Sequence, residues 1–166
     1  MQKTTAQSNR ETAYQLSNNL PRLLREFSRD YERRIWRELA SRGYPEIRPS
    51  HSQVFANLGM GSVRVNELAE RAQVTQQAMG TMLKELAQMG YLARDTDCQD
   101  SRARERRLTE RGIKLVTDSR DVVEEVRRHY DGKVGKAELA NLEEALRTTV
   151  KKLELDYLPE SWVERD

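Results

Sequence analysis

Between Leu92 and Gly112 the chain reads LARDTDCQDSRARERRLTERG, with Arg102, Arg104, Arg106 and Arg107 interleaved with Asp97, Asp100 and Glu105. Such a segment is either a solvated loop of ion pairs or a basic finger that reaches something negative. A carboxylate two residues from an arginine, as Asp100 is from Arg102, can hold the guanidinium extended through charge-assisted hydrogen bonds. A second group lies just upstream in TQQAMGTMLKEL. At helical spacing, Gln76, Gln77, Gly80, Thr81 and Lys84 share one face, opposite Ala78, Met79, Met82, Leu83 and Leu86. Gln can pair with adenine, Thr can bond a base edge or touch a thymine methyl, and Lys can reach guanine or phosphate. Amides at the N-terminus near Gln76 also favour a phosphate. The bland alternative is the wet face of an amphipathic helix.

What decides between the readings is the set of elements that would carry these residues. Asn66 can cap a short helix through Arg71 that turns Leu68 and Ala69 inward. Val74 and Thr75 interrupt it, and Thr75 can cap a second helix from Gln76 to Met89, which Gly90 ends. Two helices joined by so short a turn make a helix-turn-helix, whose second helix has the right diameter for a major groove. YLARDTD and ARERRLT flank the arginines and predict antiparallel strands, hence a β-hairpin wing. A wing tip beside a recognition helix brings arginines to the minor groove or the backbone.

Around this unit lie longer helices. Leu16, Leu20, Leu23, Leu24, Phe27, Tyr31, Ile35 and Leu39 recur at spacings of three and four, a helix ended by Gly43 and Pro45. Pro21 sits in its first turn, after a cap at Asn18 or Asn19, or kinks a longer helix. Residues 1–10 are polar and read as a frayed end. Pro49 and Ser50 start a further helix that Gly59 and Gly61 stop, and SVRV suits a small strand. Thr109 or Asp118 opens a run bearing Ile113, Val116, Val123 and Val126. After GKVG a last helix carries Leu139, Leu142, Leu146, Val150, Leu153 and Tyr157. The terminal stripes exceed what one small central unit can cover, which predicts arms that pair with each other or with a second copy.

Composition limits the alternatives. The 166 residues fit one domain or two small interdependent lobes, and the net charge is only +2. Nucleic-acid binding would then rest on local placement of charge. The single Cys98 gives no internal disulfide or cysteine zinc cluster, and suits a reducing cytosol. It reads as a bystander thiol, although nearby arginines can lower the pKa of such a group. No apolar run approaches a membrane span and the N-terminus lacks a secretory apolar region, so a soluble, cytoplasmic protein is expected. His51 and His129 are too isolated for a metal site, no cofactor motif is present, and no catalytic constellation stands out. The chain is not expected to be an enzyme.

The stretch NELAERAQVTQQAMGTMLKELAQMGYLARDTDCQDSRARERRLTERG resembles the DNA-binding core of the multiple-antibiotic-resistance regulator (MarR) family of winged-helix proteins. The resemblance rests on ELAE, the Val-Thr turn, LKELAQMGYLAR, the D-x-x-D-x-R wing and LTERG. It implies a mainly α fold with a small β-hairpin wing. A winged helix-turn-helix over 49–111 would stand between an N-terminal dimerisation helix (1–48) and C-terminal dimerisation helices (112–166).

The function implied is that of a homodimeric transcriptional regulator, expected to repress, on a near-palindromic double-stranded DNA operator. Carried over by motif, Gln76, Gln77, Gly80, Thr81 and Lys84 contact DNA, with Thr75 at the cap. Arg102 enters the minor groove, oriented by Asp100; Arg104 is a second candidate and Arg94 a backbone contact. Two positions depart from the pattern: Thr81 stands where many relatives carry Arg, and Gln73 where many such turns use Gly. The second departure is cheap if another geometry serves the turn. Many relatives respond to small aromatic or phenolic ligands, which Tyr31, Trp36, Arg48, His51 and Phe55 could meet here. The rival reading is a helical protein-interaction module whose winged helix binds a partner protein.

Overall fold

A computed structural model describes residues 5–59, 63–93 and 105–158. Helix α1 (Thr5–Ser17) buries no side chain. Residues 5–10, expected to fray, are therefore helical, since nothing between Thr5 and Ser17 breaks the ladder. Asn19 separates α1 from α2 (Leu20–Ser41): its Oδ1 accepts the Arg22 amide at 3.0 Å, and its Nδ2 donates to the Leu16 carbonyl at 2.8 Å. Pro21 lies in the first turn of α2, where its missing N–H costs nothing. The two readings of Pro21 thus resolve in favour of a helix start.

A 3-10 turn over Pro49–His51 leads into α3 (Ser52–Leu58), and Gly59 ends it at φ +63°. Strand β1 (Val63–Arg64) is followed directly by α4 (Val65–Arg71). The cap of α4 is Arg64, not the expected Asn66: the last residue of β1 is still extended, and the helix begins at Val65, two residues earlier than expected. Helix α5 (Gln76–Gln88) is capped by Thr75, whose hydroxyl accepts the Ala78 amide at 3.1 Å. Between α4 and α5, Gln73 takes φ +54°. The turn therefore uses the same left-handed geometry that glycine would serve, and the Gln73 side chain donates to the Glu70 carbonyl at 2.8 Å.

Strand β2 (Glu105–Arg106) pairs antiparallel with β1, Val63 opposite Arg106. Leu92 bridges Leu108, and the Ala93 amide donates to the Arg107 carbonyl at 3.1 Å. These pairings are the base of a wing. Helix α6 (Glu110–Val134), capped by Thr109, then runs back along α2, and α7 (Lys136–Lys152) follows the turn at Gly135. The expected stripe of α6 is partly corrected: Val126 is buried, but Ile113 and Val123 are exposed, and Leu115, Val122 and Tyr130 take the inward positions.

The buried side chains form one continuous cluster from Leu39 of α2 through Leu68, Met79, Leu83, Leu86, Tyr91 and Leu115 to Leu139 of α7. Each large aliphatic group there contributes about 1.5–3 kcal/mol of burial. Along α2 and α6, Tyr31 stacks on Tyr130 with ring centres 4.8 Å apart, and Phe27 meets both rings edge-on.

Candidate nucleic-acid interface

Helix α5 presents two contrasting faces. Met79, Met82, Leu83 and Leu86 are buried, whereas Gln76, Gln77, Thr81 and Lys84 are exposed. Ala78, assigned above to the apolar face, is exposed as well, because the first turn of α5 projects past the core. Gln76, Gln77, Gly80, Thr81 and Lys84 include no acid; Glu85, one turn past Thr81, is half-buried and engaged by Arg48 and His51. A Cβ built on Gly80 would meet no atom within 4 Å. Protein packing therefore does not require this glycine, which costs a helix about 1 kcal/mol relative to alanine. Thr81 donates its hydroxyl proton to the Gln77 carbonyl at 3.1 Å, which leaves its oxygen lone pairs and its methyl to face outward.

Among the described residues, three tyrosine–carboxylate–cation triads, which sequence reading missed, hold the unit around α5 and the long helices together. Tyr91, just past α5, donates to Glu46 at 2.5 Å; Arg111 of α6 reaches the same carboxylate at 2.7 Å and lies 4.5 Å over the Tyr91 ring. Arg111 also donates to the Met89 carbonyl at 3.0 Å, tying down the C-terminal end of α5. Tyr44 donates to Asp118 at 2.5 Å beside Lys114 at 2.6 Å. Tyr130 donates to Asp30 at 2.5 Å beside Arg34 at 3.2 Å.

The hydrogen bond from Tyr91 holds the Glu46 carboxyl below its usual range, Lys114 and then Tyr44 do so for Asp118, and Tyr130 and then Arg34 for Asp30. Burial, with Glu46 second, pushes Tyr91 up to about 12, so it remains a donor at neutral pH. Asp30–Arg34 and Lys114–Asp118 are neighbours along one helix, but each tyrosine lies far along the chain from its carboxylate, so no local pattern announces the triads.

Gly112, in LTERG, has a packing reason. A Cβ there would lie 2.2 Å from the Tyr91 carbonyl oxygen, which already accepts the Thr109 amide at 3.1 Å. The motif thus pins the start of α6 against the end of α5.

The residues proposed to meet a ligand do not converge. Trp36 and Phe55 line a crevice of about 380 Å³ between α2, α3 and α6, with Ile35, Leu39, Leu115 and Val116, and with Ser119 and Arg120 among its polar members. Tyr31 lines a neighbouring crevice of about 310 Å³ with Phe27, Leu139, Leu142 and Leu146. Arg48 and His51 line neither and instead meet Glu85 of α5. His51 and then Arg48 hold the Glu85 carboxyl below its usual range. Arg94, Cys98, Asp100, Arg102 and Arg104 lie outside the described residues. Among the described residues no cluster of His, Cys, Asp and Glu could hold a metal, and no helix is long and apolar enough to cross a membrane.

A helix-turn-helix whose second helix exposes a polar face, with strands pairing beside it, defines a winged-helix protein. Residues 47–103 match the model of the MarR family. The chain is 29% identical over 136 residues to the exopolysaccharide II synthesis transcriptional activator ExpG of Rhizobium meliloti (strain 1021), covering 82% of this chain and 69% of that protein. The reduced form of MarR from E. coli superposes with a TM-score of 0.67 at 21% identity, over 79% of this chain and 96% of that one. A cysteine-to-serine mutant of E. coli MarR complexed with operator DNA does so with a TM-score of 0.64 at 19% identity, over 82% and 96%. The likeness to the MarR family thus lies in residues 47–103, and the fold is that of a winged helix.

Proposed function

We propose that this chain binds duplex DNA as a homodimer and regulates transcription from a near-palindromic operator. The observation that carries the reading is the outer face of α5: Gln76, Gln77, Thr81 and Lys84 are exposed, the nearby Glu85 is engaged by Arg48 and His51, and Gly80 leaves the backbone open to close approach. Thr75 fixes the start of that face. A MarR protein of the same fold has been solved on operator DNA, which supports the same use here. Arg102, oriented by Asp100, is assigned to the minor groove, with Arg104 beside it and Arg94 on the backbone. Residues 49–111 form the DNA-binding lobe; 1–48 and 112–166 form the dimerisation lobe.

Repression follows where the operator overlaps the promoter, and activation, as in the name of the R. meliloti relative, where it lies beside it. The crevice between α2, α3 and α6 has room for a small aromatic or phenolic effector, which lies within the usual range of about 300–1,000 Å³ for such sites. By favouring one separation of the two recognition helices, an effector would release the DNA.

Fluorescence anisotropy with the gene's own upstream DNA tests the reading. Binding should weaken steeply with salt, the slope of log K against log salt being about −0.9 per phosphate contacted. Arg102→Ala should weaken binding on all sequences, whereas Gln77→Ala should change sequence preference. Absence of duplex binding by the wild type at low salt overturns the DNA reading in favour of a protein-interaction module.

A further inference from the structure

The buried His51 is the feature that DNA contact by itself leaves unexplained. Its side chain is wholly inaccessible, yet both ring nitrogens are engaged. The Arg48 amide donates to Nδ1 at 3.1 Å, so the ring proton resides on Nε2, which donates to Glu85 at 3.0 Å. The His51 amide donates in turn to the Arg48 carbonyl at 2.9 Å, which makes the 3-10 turn rigid around the ring. Glu85 also accepts from the Arg48 guanidinium. Glu85 stands on the flank of α5, between the buried row of Met82 and Leu86 and the exposed row of Thr81 and Lys84. A tether on the flank of a helix adds a directional hydrogen-bond restraint on rolling about its long axis to the restraint from the packed apolar face.

We propose that His51 is a positioning residue for sequence recognition: through Glu85 it sets the roll of α5 and so determines which base edges Gln77 and Thr81 address. The inference rests on the DNA-binding reading above and adds how specificity is held. Gln77 is one turn from Thr81 and two turns from Glu85, so rotation at the tether is carried along the whole outer row. Affinity for phosphates depends on charge and is little altered by a small roll, whereas hydrogen bonds to bases are lost within a few tenths of an ångström.

The test uses the full chain with three substitutions. His51→Phe fills the space and removes both hydrogen bonds; His51→Gln keeps an acceptor and a donor; Glu85→Ala removes the tether from a partly exposed position. Binding is measured on the upstream duplex and on a scrambled duplex of equal length at one salt concentration, and amide exchange is followed in α5 and α6. His51→Phe and Glu85→Ala should each lower the ratio of specific to scrambled affinity roughly tenfold, the loss of about one orienting hydrogen bond. Affinity for the scrambled duplex and the salt slope should remain unchanged, His51→Gln should restore discrimination, and exchange should quicken in α5 but not in α6.

Equal losses on both duplexes, or undiminished discrimination in both variants, overturns the proposal. Should His51→Phe not fold, Glu85→Ala decides alone. If the wild type binds no duplex, the DNA reading fails by itself. The tether is then judged by exchange: quickening confined to α5 supports it, and unchanged exchange overturns it.

Discussion

Gly80 and Gly112 are the same residue type with opposite reasons. A Cβ at Gly80 meets nothing in the protein, whereas one at Gly112 meets the Tyr91 carbonyl oxygen at 2.2 Å. Gly80→Ala should therefore raise stability by about 1 kcal/mol, or about 2–4 °C in Tm, while weakening binding to the operator. Thermal melting and anisotropy on the same preparation check both halves; unchanged operator affinity would show that the backbone does not approach DNA there. Gly112→Ala should cost about 1–3 kcal/mol, because backbone rather than a yielding side chain blocks the methyl, and urea unfolding reads the loss. A glycine in mid-helix on a polar face invites, from the sequence alone, the question of what comes near Gly80. The reason for Gly112 was not legible, since the blocking carbonyl of Tyr91 belongs to another element. His51 shows the same limit: its side-chain type suggested a contact with a ligand, but its partner Glu85 is set by the packing of α5.

At the scale of elements, the helix-turn-helix and the wing base were legible because they depend on local rules: a Thr cap, an apolar row, a β-branched pair, and glycines at helix ends. The inward face of α6 was read less well, because its apolar positions are shared between the core and an exposed side, and periodicity alone does not separate them. What joins the elements is the set of tyrosine triads, and these give a pH dependence. Folding lowers the carboxyl pKa values of Asp30, Glu46 and Asp118. Their contribution is complete above the ordinary carboxylate range and is lost as pH falls through and below it. Tyr91→Phe removes the largest cause of the lowered Glu46 value. The difference in Tm between wild type and Tyr91→Phe should therefore be constant above about pH 6 and shrink as pH falls through about 4. A difference that persists undiminished at about pH 2.5, well below the carboxylate range, would mean that the Tyr91 hydroxyl acts through its bond from Arg111 at 3.1 Å and not through the Glu46 charge.

Over the whole molecule, the most exposed leucines gather towards the two ends of the chain. Leu16, Leu20 and Leu23 are 70%, 68% and 56% exposed, and Leu142, Leu146 and Leu153 are exposed on or just past α7. Scattered single leucines on a surface call for no partner, but two groups at the two ends of the chain, with α1 burying nothing of its own, do. Their pairing with the same groups of a second copy would bring two recognition helices to half-sites about 34 Å apart. The double substitution Leu20→Asp and Leu142→Asp alters only exposed positions, so the monomer should keep its fold by circular dichroism. Sedimentation at micromolar concentration should show a dimer for the wild type and a monomer for the variant. The variant should retain its affinity for a single half-site but lose about 10²–10⁴-fold on the full operator, because the second half-site is no longer bound intramolecularly. A variant that sediments as a monomer and still binds the full operator as the wild type does would separate recognition from dimerisation and remove the two-fold from the mechanism.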